Sequence, residues 1–441
     1  MTDTALYDVL SVVLAMLLVG FGLAGVISLL RRSRPELTIA GPVALGVGAR
    51  LVAIAGVGLS GLGATLRGGD EATFLRGARE VAASGLDSGP WLPSESHRLH
   101  EIVFALQIKI ADFPEAALRV TQVGIAMLGI VLIVAAIHDA AGPRAARLGA
   151  WVLAFEPASI FFNGILHREP LLVLASGLVV LGGARIWARP EPRGTLLLAL
   201  GCAIALGTRP YAGWFLITGG LLLILHSSLR ASDGKRRALP LAFAVGLVAV
   251  AAAPAVLSLT SQQSLEQNLQ HSQDVNTDPN APRGAAGSNN LSLERVDFST
   301  RSDLVAHLPS RLRDVVLRPY PWQVANPSQQ LGAVGTLVAL VTLGLLLQYV
   351  RRNRGETIAL AAPFLYPTLF LLIAYALSVG NAGTGFRYRT HLVILGLATL
   401  IVLRQHALRG AAAADHDAPG TGVARTGPAM RLRARSHIEP R

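Results

Sequence analysis

The chain is poor in charge and in cysteine. Only 15% of its 441 residues are Asp, Glu, Lys or Arg, where a soluble protein carries about a quarter. Its single cysteine, Cys202, lies inside an apolar run, which excludes a disulfide framework and a thiolate metal cluster. Zinc-finger spacings, heptads, solenoid repeats and Walker-type glycine loops are all missing, so hydrolysis of ATP on a P-loop is excluded. The net charge of +12 is not laid out as a basic groove with interleaved aromatics, which argues against a nucleic-acid partner.

Apolar sequence is what the chain has in excess: 52% of the residues are hydrophobic, and the mean hydropathy is +0.49. One water-soluble core cannot bury that much surface, so lipid must cover part of it. Apolar runs recur from end to end, many of them long enough to cross roughly 30 Å of hydrocarbon. They fall at about 5–30, 38–64, 119–137, 148–166, 171–187, 194–207, 211–226, 237–259, 330–350, 357–379 and 391–404. The expectation is an all-α membrane protein with about 11 transmembrane helices, counts of about ten or twelve remaining open because two runs are short.

The first run is followed, not preceded, by Arg31, Arg32 and Arg34. That order predicts an uncleaved anchor with the N-terminus outside. Alternating sides from there gathers the short basic loops on the cytoplasmic face: Arg144/Arg147, Arg185/Arg189/Arg193, Lys235/Arg236/Arg237 and Arg351/Arg352/Arg354. The expected organisation is an extra N-terminal anchor with its basic loop (1–36), a polytopic domain (37–404) and a basic, disordered cytoplasmic tail (405–441). Two longer outer loops, about 66–118 and 260–329, are expected to contain amphipathic helices. In the second, a polar stretch (262–290) precedes Leu304, Leu308, Leu312 and Val315 on one helical face.

Candidate chemistry gathers at the outer membrane edge. Asp70 and Glu71 follow the second run, and such a pair can act as a general base or hold a divalent cation. Asp70 as the N-cap of a helix starting at Glu71 is the structural alternative. His167, Arg168 and Glu169 crowd a brief turn, either solvated at the headgroups or facing a polar cavity. Arg209 and Tyr211 flank Pro210 at another, where Arg209 can hold a phosphate or snorkel to lipid. Arg387, Tyr388 and Arg389 follow Gly383 and Gly385 in the last outer loop, a pattern suited to anion binding by backbone N–H groups and guanidiniums. Arg318 heads a basic-aromatic knot with Tyr320 and Trp322, for which interfacial anchoring is the preferred reading of the two aromatics. Glu156 stands alone inside an apolar run, at a cost of about 2.5–3.5 kcal/mol on insertion scales.

Gly69-Asp70-Glu71 followed by Phe74-Leu75-Arg76-Gly77-Ala78-Arg79 resembles the first outer loop of GT-C membrane glycosyltransferases, among them the protein O-mannosyltransferases and lipid A aminoarabinose transferases. Residues 154–162 through Arg168-Glu169-Pro170, Arg209-Pro210, and Gly385-Phe386-Arg387-Tyr388-Arg389 are similar to further segments of bacterial members. The resemblance implies a multi-pass transferase of the bacterial inner (plasma) membrane that takes a sugar from a polyprenyl-phosphate donor to a glycan, lipid or protein acceptor outside. It implies inversion of configuration, with Asp70 as general base and Glu71 as helper. Both would be metal ligands if a divalent cation takes part; no other cofactor is implied. Arg168, Arg209, Arg387, Arg389 and Arg318 would steady the lipid phosphate, with His167, Glu169, Glu156, Tyr211 and Tyr388 as further candidates. The first helix and the lack of a sizeable soluble C-terminal domain depart from the pattern. A flippase, transporter or polymerase of lipid-linked glycans is the alternative, using the same arginines without Asp70 chemistry.

Overall fold

The computed structural model describes residues 3–61, 69–85, 99–189, 191–230, 301–324, 327–352, 357–379 and 382–417. The expected run at 237–259, the polar stretch at 262–290, Lys235/Arg236/Arg237 and Arg354 lie outside them. The described residues form helices and no strand: α1 (Asp3–Ser33), α2 (Ala40–Leu59), α3 (Gly69–Ala83), α4 (Leu99–Ala111), α5 (Glu115–Ala141), α6 (Pro143–Ala154) and α7 (Pro157–Phe162). After a short turn follow α8 (Glu169–Ala188), α9 (Pro192–Thr208), α10 (Pro210–Arg230), α11 (Arg301–Leu317), α12 (Pro327–Arg352), α13 (Thr357–Ser378) and α14 (Ala382–Asp417). Five of these helices begin on a proline, whose missing N–H costs nothing in the first turn and whose fixed φ suits it.

Eight helices are long and apolar enough to span a membrane: α1, α2, α5, α8, α10, α12, α13 and α14. The fold is that of a multi-pass helical membrane protein. Of the eleven expected runs, 194–207 gives the shorter apolar helix α9, and 148–166 is not one helix. It breaks at Glu156, because Pro157 pushes the preceding residue into an extended conformation (φ −60°, ψ 119°). The Glu156 carboxylate then caps α7, accepting from the N–H groups of Ala158 (3.2 Å) and Ser159 (2.5 Å). Arg50, inside α2, meets the same break. It donates to the carbonyls of Ala154 (2.7 Å) and Gly46 (2.9 Å) and to the Ser159 hydroxyl (2.7 Å), and its charge acts on Glu156. The lone acid of the run is thus neither lone nor mid-helix.

Two further expectations are corrected. The Gly-rich segment before Arg387 is not a loop, since α14 starts at Ala382 and takes Arg387, Tyr388 and Arg389 into its first turns. The tail expected from 405 begins as helix, because α14 continues to Asp417 through an alanine run of high helix propensity.

The core is built on α5 and α8, which pack along most of their length. Their backbones nearly touch: a Cβ on Gly129 would come 2.5 Å from the Val173 carbonyl, and one on Gly177 would come 2.5 Å from the Gly129 carbonyl. Close approach through small residues replaces the hydrophobic drive that is weak inside lipid. The two ends of the bundle differ in character. At one, Arg34 grips Asp139 through both carboxylate oxygens (2.6 and 2.5 Å), Arg147 reaches the Thr38 hydroxyl (2.8 Å) and Arg409 reaches the Ala141 carbonyl (2.6 Å). The starts of α3, α5, α8, α10 and α14 meet at the other.

Gly129→Ala and Gly177→Ala are each expected to destabilise the protein by about 1–3 kcal/mol through overpacking. Gly48→Ala, inside α2 with no atom near its added methyl, should keep or slightly raise the melting temperature of the detergent-solubilised protein.

Candidate functional site

The site end is assembled from side chains far apart in sequence. Glu71, in the first turn of α3, is buried and does not face solvent. Its Oε1 lies 3.0 Å from Arg119 Nη2 at the start of α5 and accepts from the Leu166 N–H at 2.9 Å. These two contacts tie α3 to α5 and to the turn that leads into α8. Asp70 precedes Glu71 within α3, one residue inside the helix and not at its N-cap; its side chain lies outside the described residues. One turn on, Phe74 lies beneath Arg168, whose guanidinium carbon is 4.7 Å from the ring centroid. The edge of His100 closes on Phe74 at 4.4 Å. The helix that carries the Asp70-Glu71 pair is therefore seated against the Arg168 turn.

Glu169 is fully buried at the first turn of α8. Its Oε1 accepts from Arg209 Nη2 at 2.8 Å, its Oε2 is 4.0 Å from His167 Nδ1, and its backbone carbonyl is 3.3 Å from His391 Nε2. Arg387 Nη1 lies 2.7 Å from His167 Nδ1. A guanidinium can only donate, so Nδ1 is the acceptor and the proton of a neutral His167 sits on Nε2. His391 follows the same logic, with Nε2–H on the Glu169 carbonyl and Nδ1 accepting from the Tyr375 hydroxyl at 3.0 Å. Arg209 stacks over the Tyr388 ring at 3.9 Å, and the Tyr211 and Tyr388 hydroxyls are 2.7 Å apart.

The expected phosphate-binding arginines are held in different ways. Arg389 spends its guanidinium on three carbonyls, those of Val316 (3.1 Å), Arg318 (2.6 Å) and Gly332 (2.7 Å). It straps α11, the 318 segment and α12 to α14. Arg318 pairs with Asp314 at 3.2 Å, one turn back in α11, and the Tyr320 hydroxyl donates to the other oxygen of that carboxylate at 3.0 Å. Trp322 stacks on Tyr320 and is four-fifths exposed, consistent with an anchor at the interface. Among the described residues, Nε of Arg168 and both Nε and Nη1 of Arg209 are buried without a hydrogen-bond partner. Burial first, and the neighbouring Arg209 second, push the Arg168 guanidinium below the ordinary arginine range, whereas that of Arg209 is raised, against the effect of burial, by the tyrosines and Glu169 around it. The geometry brings Arg168, Arg209, Arg387, His167, Glu169, Tyr211 and Tyr388 into one network, while Arg318 pairs with Asp314 and Arg389 ties the carbonyls of three segments.

Several members escaped sequence reasoning. Arg50 stands in the middle of an apolar run and Arg119 opens another; a charge at either place was a visible signal. His391, Tyr375 and Arg311 gave none, since a lone polar residue in a helix becomes a partner only when the helix opposite is known. Arg311 donates from Nε to the Ala376 carbonyl at 2.6 Å and from Nη2 to the Val379 carbonyl, holding α11 to the end of α13. Among the described residues no three His, Cys, Asp or Glu side chains gather as a metal-binding group. A cation at Glu71 would have to compete with Arg119 and the Leu166 N–H.

Comparison with protein-family models, with curated proteins and with solved structures returns no match.

Arg119→Ala should release α3 by leaving Glu71 charged and buried, a loss of about 3–5 kcal/mol. Hydrogen exchange over 71–83 would rise sharply, while in Glu71→Gln, which keeps an acceptor for the Leu166 N–H, it should rise less.

Proposed function

We propose that the protein is a membrane glycosyltransferase of the GT-C kind, acting at the extracytoplasmic face of a bacterial plasma membrane on a polyprenyl-phosphate sugar. The observation that carries this reading is the contact of Arg168 with Phe74. It sets Arg168, the neighbour of Arg209, against the helix that carries Asp70 and Glu71. The opposite end of the bundle holds Arg34, Arg147 and Arg409, which by the positive-inside tendency is the cytoplasmic end. This supports a site outside and an outer N-terminus.

In the proposed reaction Asp70 takes the proton of an acceptor hydroxyl as that oxygen attacks the anomeric carbon of the donor sugar. The bond from that carbon to the phosphate oxygen breaks, configuration inverts, and the electron pair leaves on the prenyl phosphate. The growing negative charge is met by Arg168 and Arg209, whose donors are already fixed in a buried, low-dielectric setting. Arg387 acts one step back, orienting His167. Glu71 anchors the helix that bears the base.

Purified protein in lipid is expected to transfer sugar from a polyprenyl-phosphate donor, and Asp70→Asn to abolish transfer while donor binding survives. Arg168→Ala should lower kcat/KM about 10²- to 10³-fold through loss of one charge-stabilising donor. Donor binding without transfer in wild type, whatever the acceptor, would sink the transferase and favour a flippase or transporter of the same lipid-linked glycan.

A further inference from the structure

Glu169 is the one carboxylate within the described part of the arginine cluster, and a carboxylate is a poor neighbour for a phosphate. By charge alone it should weaken anion binding. Yet it is wholly buried, it is the first residue of α8, and its Oε1 engages Arg209 Nη2 at 2.8 Å. The rest of Arg209 is defined by what that contact leaves over. The guanidinium plane is pinned between Glu169 on one edge and the Tyr388 ring at 3.9 Å on one face, and its Nε and Nη1 find no hydrogen-bond partner among the described residues. Arg209 follows directly on α9 and precedes Pro210. The second oxygen of Glu169, Oε2, is likewise without a hydrogen bond and sits 4.0 Å from His167 Nδ1.

Resting on the phosphate-receptor reading above, we propose that Glu169 is a positioning residue, holding Arg209 by one edge so that its other donors and Arg168 form a receptor for a phosphate monoester. Reach, not charge, is what Glu169 contributes. A carboxylate one methylene shorter keeps the charge but cannot hold the same edge of Arg209 from the same place on α8. An amide of equal length keeps an oxygen at the Oε1 position to accept from Nη2 while removing the negative charge that opposes the ligand.

The two conservative variants therefore separate positioning from electrostatics. The full chain in lipid nanodiscs would be titrated with farnesyl phosphate, and with farnesol as the uncharged control. Glu169→Asp is expected to raise the Kd for farnesyl phosphate about tenfold, while Glu169→Gln stays within about twofold of wild type or binds tighter. Farnesol binding should be the same in all three proteins. A Glu169→Asp protein that binds farnesyl phosphate as well as Glu169→Gln does would overturn the proposal, since charge alone would then describe the site. Loss of a monodisperse, cooperatively melting protein in both variants would also overturn it, marking Glu169 as a folding residue. A wild type that does not distinguish farnesyl phosphate from farnesol would take down the receptor reading itself, an outcome separate from the order of the two variants.

Discussion

A charge that enters the apolar interior of a membrane protein has to be met there, since neither lipid nor water will meet it. The pairing of Glu169 with Arg209 is the point where that constraint shapes this molecule most. It joins the first turn of α8 to the junction of α9 and α10, and the carbonyl of Glu169 draws in His391 from α14. Through His167 the same residue is one step from Arg387. Three chain segments that are far apart in sequence share a single buried polar centre, and the helices around it could not be rotated or shifted by a turn without stranding one of these groups.

The same rule explains the ties that surround this centre. Glu71 meets Arg119, Arg50 meets the broken carbonyls and the cap at Glu156, and Arg389 and Arg311 meet carbonyls at the ends of α11, α12 and α13. Each arginine closes a place where a helix starts, stops or bends, which is where backbone groups lack intrahelical partners. After all these closures, donors on Arg168 and Arg209 are still unused. Unpartnered buried polar atoms remain elsewhere among the described residues too, on Arg50, Gln122 and Asn163; Arg168 and Arg209 differ in acting on one another within one cluster at the helix ends, and that is the ground on which an anionic, phosphate-bearing substrate is proposed.

The sequence carried the broad architecture because lipid imposes a simple requirement on it. Apolar stretches of the necessary length announced most of the spans, and prolines marked where several helices open. The arginine clusters between spans were legible too, and those that fall on described residues lie at one end of the bundle. Of the face expected to make α11 amphipathic, Val315 is buried and Leu308 and Leu312 are partly buried against the core, while the side chain of Leu304 lies outside the described residues. Finer detail was not legible in the same way. Hydropathy averages over a window, so it could not see that Pro157 divides one apolar run or that an alanine-rich tail prolongs α14.

For the site, residue type and position along the chain sufficed to nominate the turn at 167–169, Arg209 and Arg387. They could not sort these from Arg318 and Arg389, because all five look alike as arginines at a membrane edge. The sorting depends on which carbonyls and carboxylates the folded chain brings within reach, a matter of distances between helices rather than of local pattern. By itself the sequence determined that this is a multi-pass helical protein with polar groups concentrated where helices end, since span length and the cost of buried charge are local properties. Only the tertiary structure decided which of those groups hold helices together and which have donors left unpartnered among the described residues, since hydrogen bonds across more than two hundred residues, as from His391 to Glu169, exist only once the helices have packed.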